Sequence, residues 1–183
     1  MNKKFTVKKQ IEMLSDWVSL VRRDVSDGKK TEVYHSIHQN DYVSVLGVTD
    51  DNSILMVKQY RPAVDKYTLE LPGGLLDISD ENPGECARRE IFEETGHASG
   101  SQTISLGCWL PDTGRLENRL WAFFLDHLVF EENWESEPDV QVVKASPAEL
   151  LRLIETGEFD HALHIAIIGM AFLRGYLSNK CRQ

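Results

Sequence analysis

The stretch NPGECARREIFEETGH, residues 82–97, decides how the chain is read. Asn82 can cap a helix, Pro83 suits its first position, and Glu85 stands three residues after Asn82 as in a capping box. Gly96 suits the left-handed residue that ends it. The spacing therefore predicts a helix over about 83–95 in known register. At about 100° per residue, Glu90, Glu93 and Glu94 fall within an arc of about 100°. Three carboxylates on one face repel each other. They also stand at the end of the helix where its dipole disfavours negative charge. A solvated acidic face partnered by Arg88 and Arg89 would give the same letters. A divalent cation would remove the conflict, since magnesium is held by a few carboxylates together with water and substrate phosphates.

Outward from this helix the chain reads as one ordinary globular domain with a short extension. It has 183 residues, 42% apolar and 27% charged, enough for a core and too apolar for disorder. The net charge of -9 argues against nucleic acid as a partner. An anionic substrate would need arginines or a bound cation. Cys86, Cys108 and Cys181 show no metal-ligand spacing, and an odd count fits a reducing compartment. The basic N-terminus is not followed by an apolar run of signal length, so a cytoplasmic protein is expected. The apolar stretch 161–177 carries His161, His164 and Arg174 and reads as a buried helix, not a membrane span.

Strands are expected at 17–25 and 31–39 as a hairpin, and at 42–49 and 53–61 as a second, more apolar one. Others are expected at 67–71, 103–110, 119–130 and 141–146. Two helices, about 146–156 and 160–178, close the chain. The pattern is a mixed sheet with few, well-separated helices.

Glu81, Arg89, Glu90, Ile91, Glu93, Glu94 and Gly96 resemble the Nudix box at its fixed spacing. Two positions depart from it. The loop between Gly74 and Glu81 is one residue longer, and His97 replaces an aliphatic residue. Upstream, VKQYRPAVDKYTLELPGGLLD, residues 57–77, is similar to the segment preceding the box in ADP-ribose and nucleoside-diphosphate-sugar pyrophosphatases. Pro111 and the stretch LPDTGRLENRLW, residues 110–121, extend that likeness.

The resemblance implies an α/β fold, the Nudix α/β/α sandwich with a mixed sheet. Residues 1–40 would form a β-hairpin extension whose strands cross to a second subunit in a homodimer, and 41–183 the hydrolase domain. It implies magnesium, with manganese as a substitute, held by Glu90, Glu93, Glu94 and the Gly73 carbonyl. It implies catalytic roles for Glu93 and Glu94, and for Glu137 as general base with Glu135 in reserve. Arg61 and Arg115 are candidates for phosphate or ribose contacts, and Glu70 for a nucleoside edge or sugar hydroxyl. Arg89 is expected to pair with Glu93, with phosphate binding as the alternative. Glu81 fits either a metal ligand or a charge that stabilises the helix start. Trp17 and Tyr34 fit core or interface packing better than base stacking, and His161 and His164 read as ordinary helix residues.

The implied activity is hydrolysis of the pyrophosphate of ADP-ribose or another nucleoside diphosphate sugar, with no nucleic acid or membrane as partner. The alternatives are a dinucleotide or nucleoside triphosphate pyrophosphatase, and a non-catalytic metabolite sensor of the same fold.

Overall fold

The structure is a computed structural model and describes residues 4–76, 82–136 and 138–177. It divides into two compact units, Met1–Asp41 with Trp109–Leu120, and Tyr42–Cys108 with Trp121–Gln183.

The first unit is built on an antiparallel three-stranded sheet of β1 (Phe5–Met13), β2 (Val18–Ser26) and β3 (Thr31–Gln39), with β2 in the centre. The expected hairpin is present as β2 and β3. The strand β1 was not anticipated. Its letters FTVKKQIEM alternate at Phe5 and Val7 and again at Ile11 and Met13, a period-two signal that the intervening lysines obscure. The segment around 112–119 lies on the free edge of β3. The Ile37 amide donates to the Arg115 carbonyl at 2.7 Å, and the Glu117 amide to the Ile37 carbonyl at 3.1 Å. Arg23 and Ser36 both hydrogen-bond the Glu117 carboxylate. The Arg23 hydrogen bond is the main reason the Glu117 carboxyl falls to about 2. This loop therefore shares a unit with the N-terminal strands despite some 70 residues between them.

The second unit is an α/β sandwich. Its sheet runs β10 (Gln141–Ala145), β5 (Ile54–Arg61), β4 (Tyr42–Thr49), β9 (Leu120–Phe130), β7 (His97–Ala98), with β6 (Lys66–Glu70) on β5 and β8 (Ile104–Trp109) on β9. Strand side chains alternate between faces. On one face Val43, Val45, Leu55, Phe123 and Leu125 pack on Cys86, Ala87 and Ile91 of α1 (Pro83–Thr95). The alternating positions, among them Leu46 and Phe124, serve the other face. There Phe124 stacks on Tyr176 just beyond α3 (Ala162–Leu173), at 4.8 Å between centroids. The short helix α2 (Pro147–Glu155) follows β10 and is capped by Ser146, whose hydroxyl accepts from the Glu149 amide at 3.2 Å.

No helix among the described residues is long and apolar enough to cross a membrane. Two substitutions separate the forces that hold α1. Ile91 is 1% exposed in the core, and Ile91→Ala is expected to cost about 2–5 kcal/mol. Asn82→Ala removes only a cap and is expected to cost about 1 kcal/mol. Denaturant midpoints with unchanged slopes would check both; equal losses would contradict this division.

Candidate active site

The helix α1 forms over the expected residues. The Asn82 side chain accepts from the Gly84 amide at 2.9 Å, Pro83 opens the helix, and Gly96 closes it at φ 70°. The register places Glu90, Glu93 and Glu94 as the sequence requires, but their surroundings differ. Glu94 is 8% exposed, whereas the Glu93 side chain is 42% exposed. Glu85 is the one acidic residue of the opening turns, which also carry Arg88 and Arg89, so the acidic charge is concentrated in the last turns.

The Pro72-Gly73-Gly74 segment fits against these carboxylates. The Gly73 amide donates to Glu94 Oε2 at 2.9 Å. A Cβ on Gly74 would stand 2.4 Å from Glu90 Oε2, and one on Gly73 would stand 2.2 Å from the Val43 carbonyl. At Gly73 the obstacle is backbone, which leaves no room for a side chain; at Gly74 it is the Glu90 carboxylate itself, which would have to move. The neighbouring carbonyls of Pro72 and Gly74 accept from the Val45 and Val43 amides of β4, at 2.8 and 2.9 Å. The loop is thus tied to the sheet on one side and to Glu94 on the other.

Arg89 does what its spacing suggests. Its Nη1 donates to Glu93 Oε2 at 2.7 Å and lies 2.9 Å from Glu90 Oε1. One guanidinium therefore holds two of the three carboxylates side by side and offsets part of their repulsion.

Arg61 and Glu70 are brought together. Arg61 Nε and Nη2 donate to the two Glu70 oxygens at 2.8 and 2.6 Å, and the Thr68 hydroxyl donates to Oε1 at 2.6 Å. Burial alone would raise the Glu70 carboxyl; the hydrogen bonds from Arg61 and Thr68 and the Arg61 charge outweigh it and hold it at about 2. Arg61 is in turn held protonated, first by its hydrogen bonds to Glu70 and further by the charge of Glu94. The sequence reading gave the two residues separate ligand contacts; here Glu70 aims Arg61.

Arg115 lies in the first unit, paired with Asp112 at 2.7 Å, its side chain 82% exposed. Trp17 and Tyr34 are exposed, not packed in a core. Glu81 and Glu137 lie outside the described residues. The segment leading to Glu135 is fixed to the end of α1: the Trp134 indole N–H donates to the Glu93 carbonyl at 3.0 Å, and the Glu131 amide to the Gly96 carbonyl at 2.9 Å. His97 fills its apolar position as a buried ring, edge-on to Phe130 at 5.4 Å, with Nδ1 2.7 Å from the Thr95 carbonyl.

His161 and His164, which read from the sequence as ordinary helix residues, stand together beside Glu70. Their rings stack at 3.7 Å, and with Glu70 they offer ligand atoms within 4.8 Å of one another. His164 Nδ1 accepts from the Leu71 amide at 3.0 Å, just before the glycine pair. The i,i+3 spacing was the available signal, and it lacked its third member because Glu70 comes from a distant strand.

Comparison with known proteins follows this geometry. The NUDIX domain family model matches residues 38–164. The chain is 34% identical over 119 residues to an ADP-ribose pyrophosphatase of Bacillus subtilis (strain 168), covering 63% of each chain. It is 24% identical over 160 residues to a GDP-mannose pyrophosphatase of Enterobacter sp. (strain 638), covering 81% of each. It therefore spans less than two thirds of the Bacillus relative's length. A solved structure described as an ADP compounds hydrolase superposes with a TM-score of 0.81 at 20% identity, over 95% of this chain and 96% of that one, a likeness of fold.

Burial, with the charge of His161 adding, pushes the His164 imidazole down to about 3. A histidine in the unfolded chain titrates near 6.5. Below that value the unfolded chain takes up a proton that the fold refuses. The stabilisation is therefore complete above about pH 6.5 and is lost as pH falls toward 3. His164→Gln is expected to flatten stability against pH in this window by up to about 1.4 kcal/mol per pH unit. Denaturant midpoints at several pH values would check this; parallel profiles for the two proteins would contradict it.

Proposed function

We propose that this chain, which belongs to the NUDIX domain family, is a divalent-metal-dependent hydrolase of the diphosphate in nucleoside diphosphate sugars, with ADP-ribose as the leading substrate. The observation that carries this reading is the seating of Gly73 and Gly74 directly on Glu94 and Glu90. Three acidic side chains on about one helical turn, with a side-chain-free backbone against them, form an oxygen-donor set suited to a hard cation.

The residues that would hold magnesium, or manganese in its place, are Glu90, Glu93, Glu94 and the Gly73 carbonyl. A bound cation of this kind supplies charge neutralisation on the diphosphate and a more acidic water. The chain does the rest. Arg89 keeps Glu90 and Glu93 adjacent. The Gly73 amide fixes the rotamer of Glu94. Glu70 takes the Nε and Nη2 edge of Arg61 and holds the guanidinium in place, so that its remaining N–H groups can meet a phosphate oxygen. Trp134 anchors the acidic segment from which Glu137, with Glu135 in reserve, would accept the proton of the attacking water. Arg115 is a further candidate for a phosphate or ribose contact. The apolar residues exposed on β1, Phe5, Val7, Ile11 and Met13, support a homodimer formed through the N-terminal strands.

The names of the relatives support a nucleotide sugar more than a dinucleotide or a triphosphate. A sensor without catalysis is disfavoured because Glu90, Glu93 and Glu94 are all present. A panel of ADP-ribose, GDP-mannose, dinucleotides and triphosphates with magnesium, scored for released nucleoside monophosphate, tests the assignment. Turnover of nucleotide sugars is expected; turnover of triphosphates alone would contradict it. Glu94→Gln is expected to lower kcat at least about a hundredfold without loss of fold, and a near-normal rate would remove Glu94 from the site.

A further inference from the structure

Two cavities in the second unit meet at Arg61, Glu70 and His161. The smaller, 210 Å³, reaches Gly73 and Gly74. The larger, 480 Å³, opens away from them between the β5–β6 turn and the start of α3. Its charges cancel: Arg61 is matched by Glu70, and Lys66 by Asp160. Among the described residues no Phe, Tyr or Trp lines it, its one ring being the His161 imidazole, and Ala63, Val64, Ala162 and Leu163 give it an apolar wall.

The histidines at the junction have metal-like spacing, yet their donors are committed elsewhere. A neutral imidazole binds a cation through the nitrogen that lacks a proton. In both rings that nitrogen is Nδ1. His164 Nδ1 accepts from the Leu71 amide at 3.0 Å, and His161 Nδ1 accepts from the His164 amide at 3.4 Å as the cap of α3. Both Nε2 atoms therefore carry the hydrogen. Both Glu70 oxygens are occupied by Arg61, and one also by Thr68. The corner is a set of hydrogen-bond donors. Burial, the largest influence on each, holds both histidines below their ordinary value and so uncharged.

We propose that the larger cavity receives the neutral, hydroxyl-bearing sugar end of the substrate, with the diphosphate lying along Arg61 toward the glycine pair and His161 Nε2 donating to a sugar hydroxyl. The assignment rests on the nucleotide-sugar reading above. A further phosphate would find no unmatched cation in the cavity, and a base would find no Phe, Tyr or Trp to stack on, the His161 ring being already stacked on His164. A sugar fits both of its surfaces. Its hydroxyls meet His161 and Asp160, and its C–H face meets the apolar wall. This arrangement favours nucleotide sugars over triphosphates by what lies beyond the diphosphate.

The test compares binding of ADP-ribose and of ADP, which lacks the sugar, by isothermal titration without added divalent metal, so that no turnover consumes the ligand. Ala162 is an exposed position at the start of α3, and Ala162→Phe fills the cavity from outside the core. The wild-type protein is expected to bind ADP-ribose more tightly than ADP. The variant is expected to lose about tenfold or more in affinity for ADP-ribose while its affinity for ADP stays within about twofold. Retained ADP binding also shows that the variant folds. Equal losses for both ligands, no loss for either, or wild-type binding of ADP-ribose no tighter than of ADP would overturn the assignment. So would zinc bound at the junction with shifted His161 and His164 imidazole signals in NMR spectra. If selective loss is found but the wild-type protein turns over no nucleotide sugar, the hydrolase reading falls and the sugar cavity stands.

Discussion

The hydrogen bond from the Gly73 amide to the buried Glu94 carboxylate is the contact on which the site depends. A carboxylate taken out of water needs strong donors or a cation to stay charged. Glu94 stands near the negative end of a helix and beside two more glutamates, where every local influence opposes its charge. The Gly73 amide offsets part of that cost, and Arg89, paired with Glu90 and Glu93, eases the repulsion from those two neighbours. A hard dication would add to that stabilisation. The segment that donates the amide can approach only because residues 73 and 74 have no side chains.

The same contact sets the geometry around it. Pro72 and Gly74 pair with β4 through their carbonyls, so the loop has one path. His164 holds the Leu71 amide one residue earlier, which ties α3 to the start of that path. Glu70, immediately before Leu71, fixes Arg61. Two strands and two helices thereby converge within six residues of chain, 69–74. A protonated His164 would release the Leu71 amide, so acid acts on the loop through α3.

Much of this was legible beforehand because it is local. The boundaries of α1 follow from Asn82, Pro83 and Gly96, and the strands from 18 to 145, apart from the two-residue β7, follow from alternation and turn residues. The Arg89–Glu93 pair follows from i,i+4 spacing. What escaped the sequence is long-range. No local pattern places residues 109–120 on the edge of β3, because Glu117 meets Arg23 across 94 positions. Glu70 and Arg61 were each read as facing a ligand, whereas strand pairing of β5 with β6 turns them toward one another. The metal-like grouping of His161 and His164 with Glu70 needs a contact across more than 90 residues. β1 was missed for a different reason: its lysines drew attention to charge and away from the alternation beneath.

The account stands or falls on whether the crowded carboxylates of α1 and the bare backbone of residues 73 and 74 form one cation site. Titration of the protein with manganese in the presence of ADP, followed by electron paramagnetic resonance, tests this most directly. The account predicts saturable binding that is lost both in Glu94→Gln and in Gly74→Ala, which leaves every carboxylate in place but puts a methyl group against Glu90. Binding that survives Gly74→Ala undiminished, or that is absent from the wild-type protein, would contradict it.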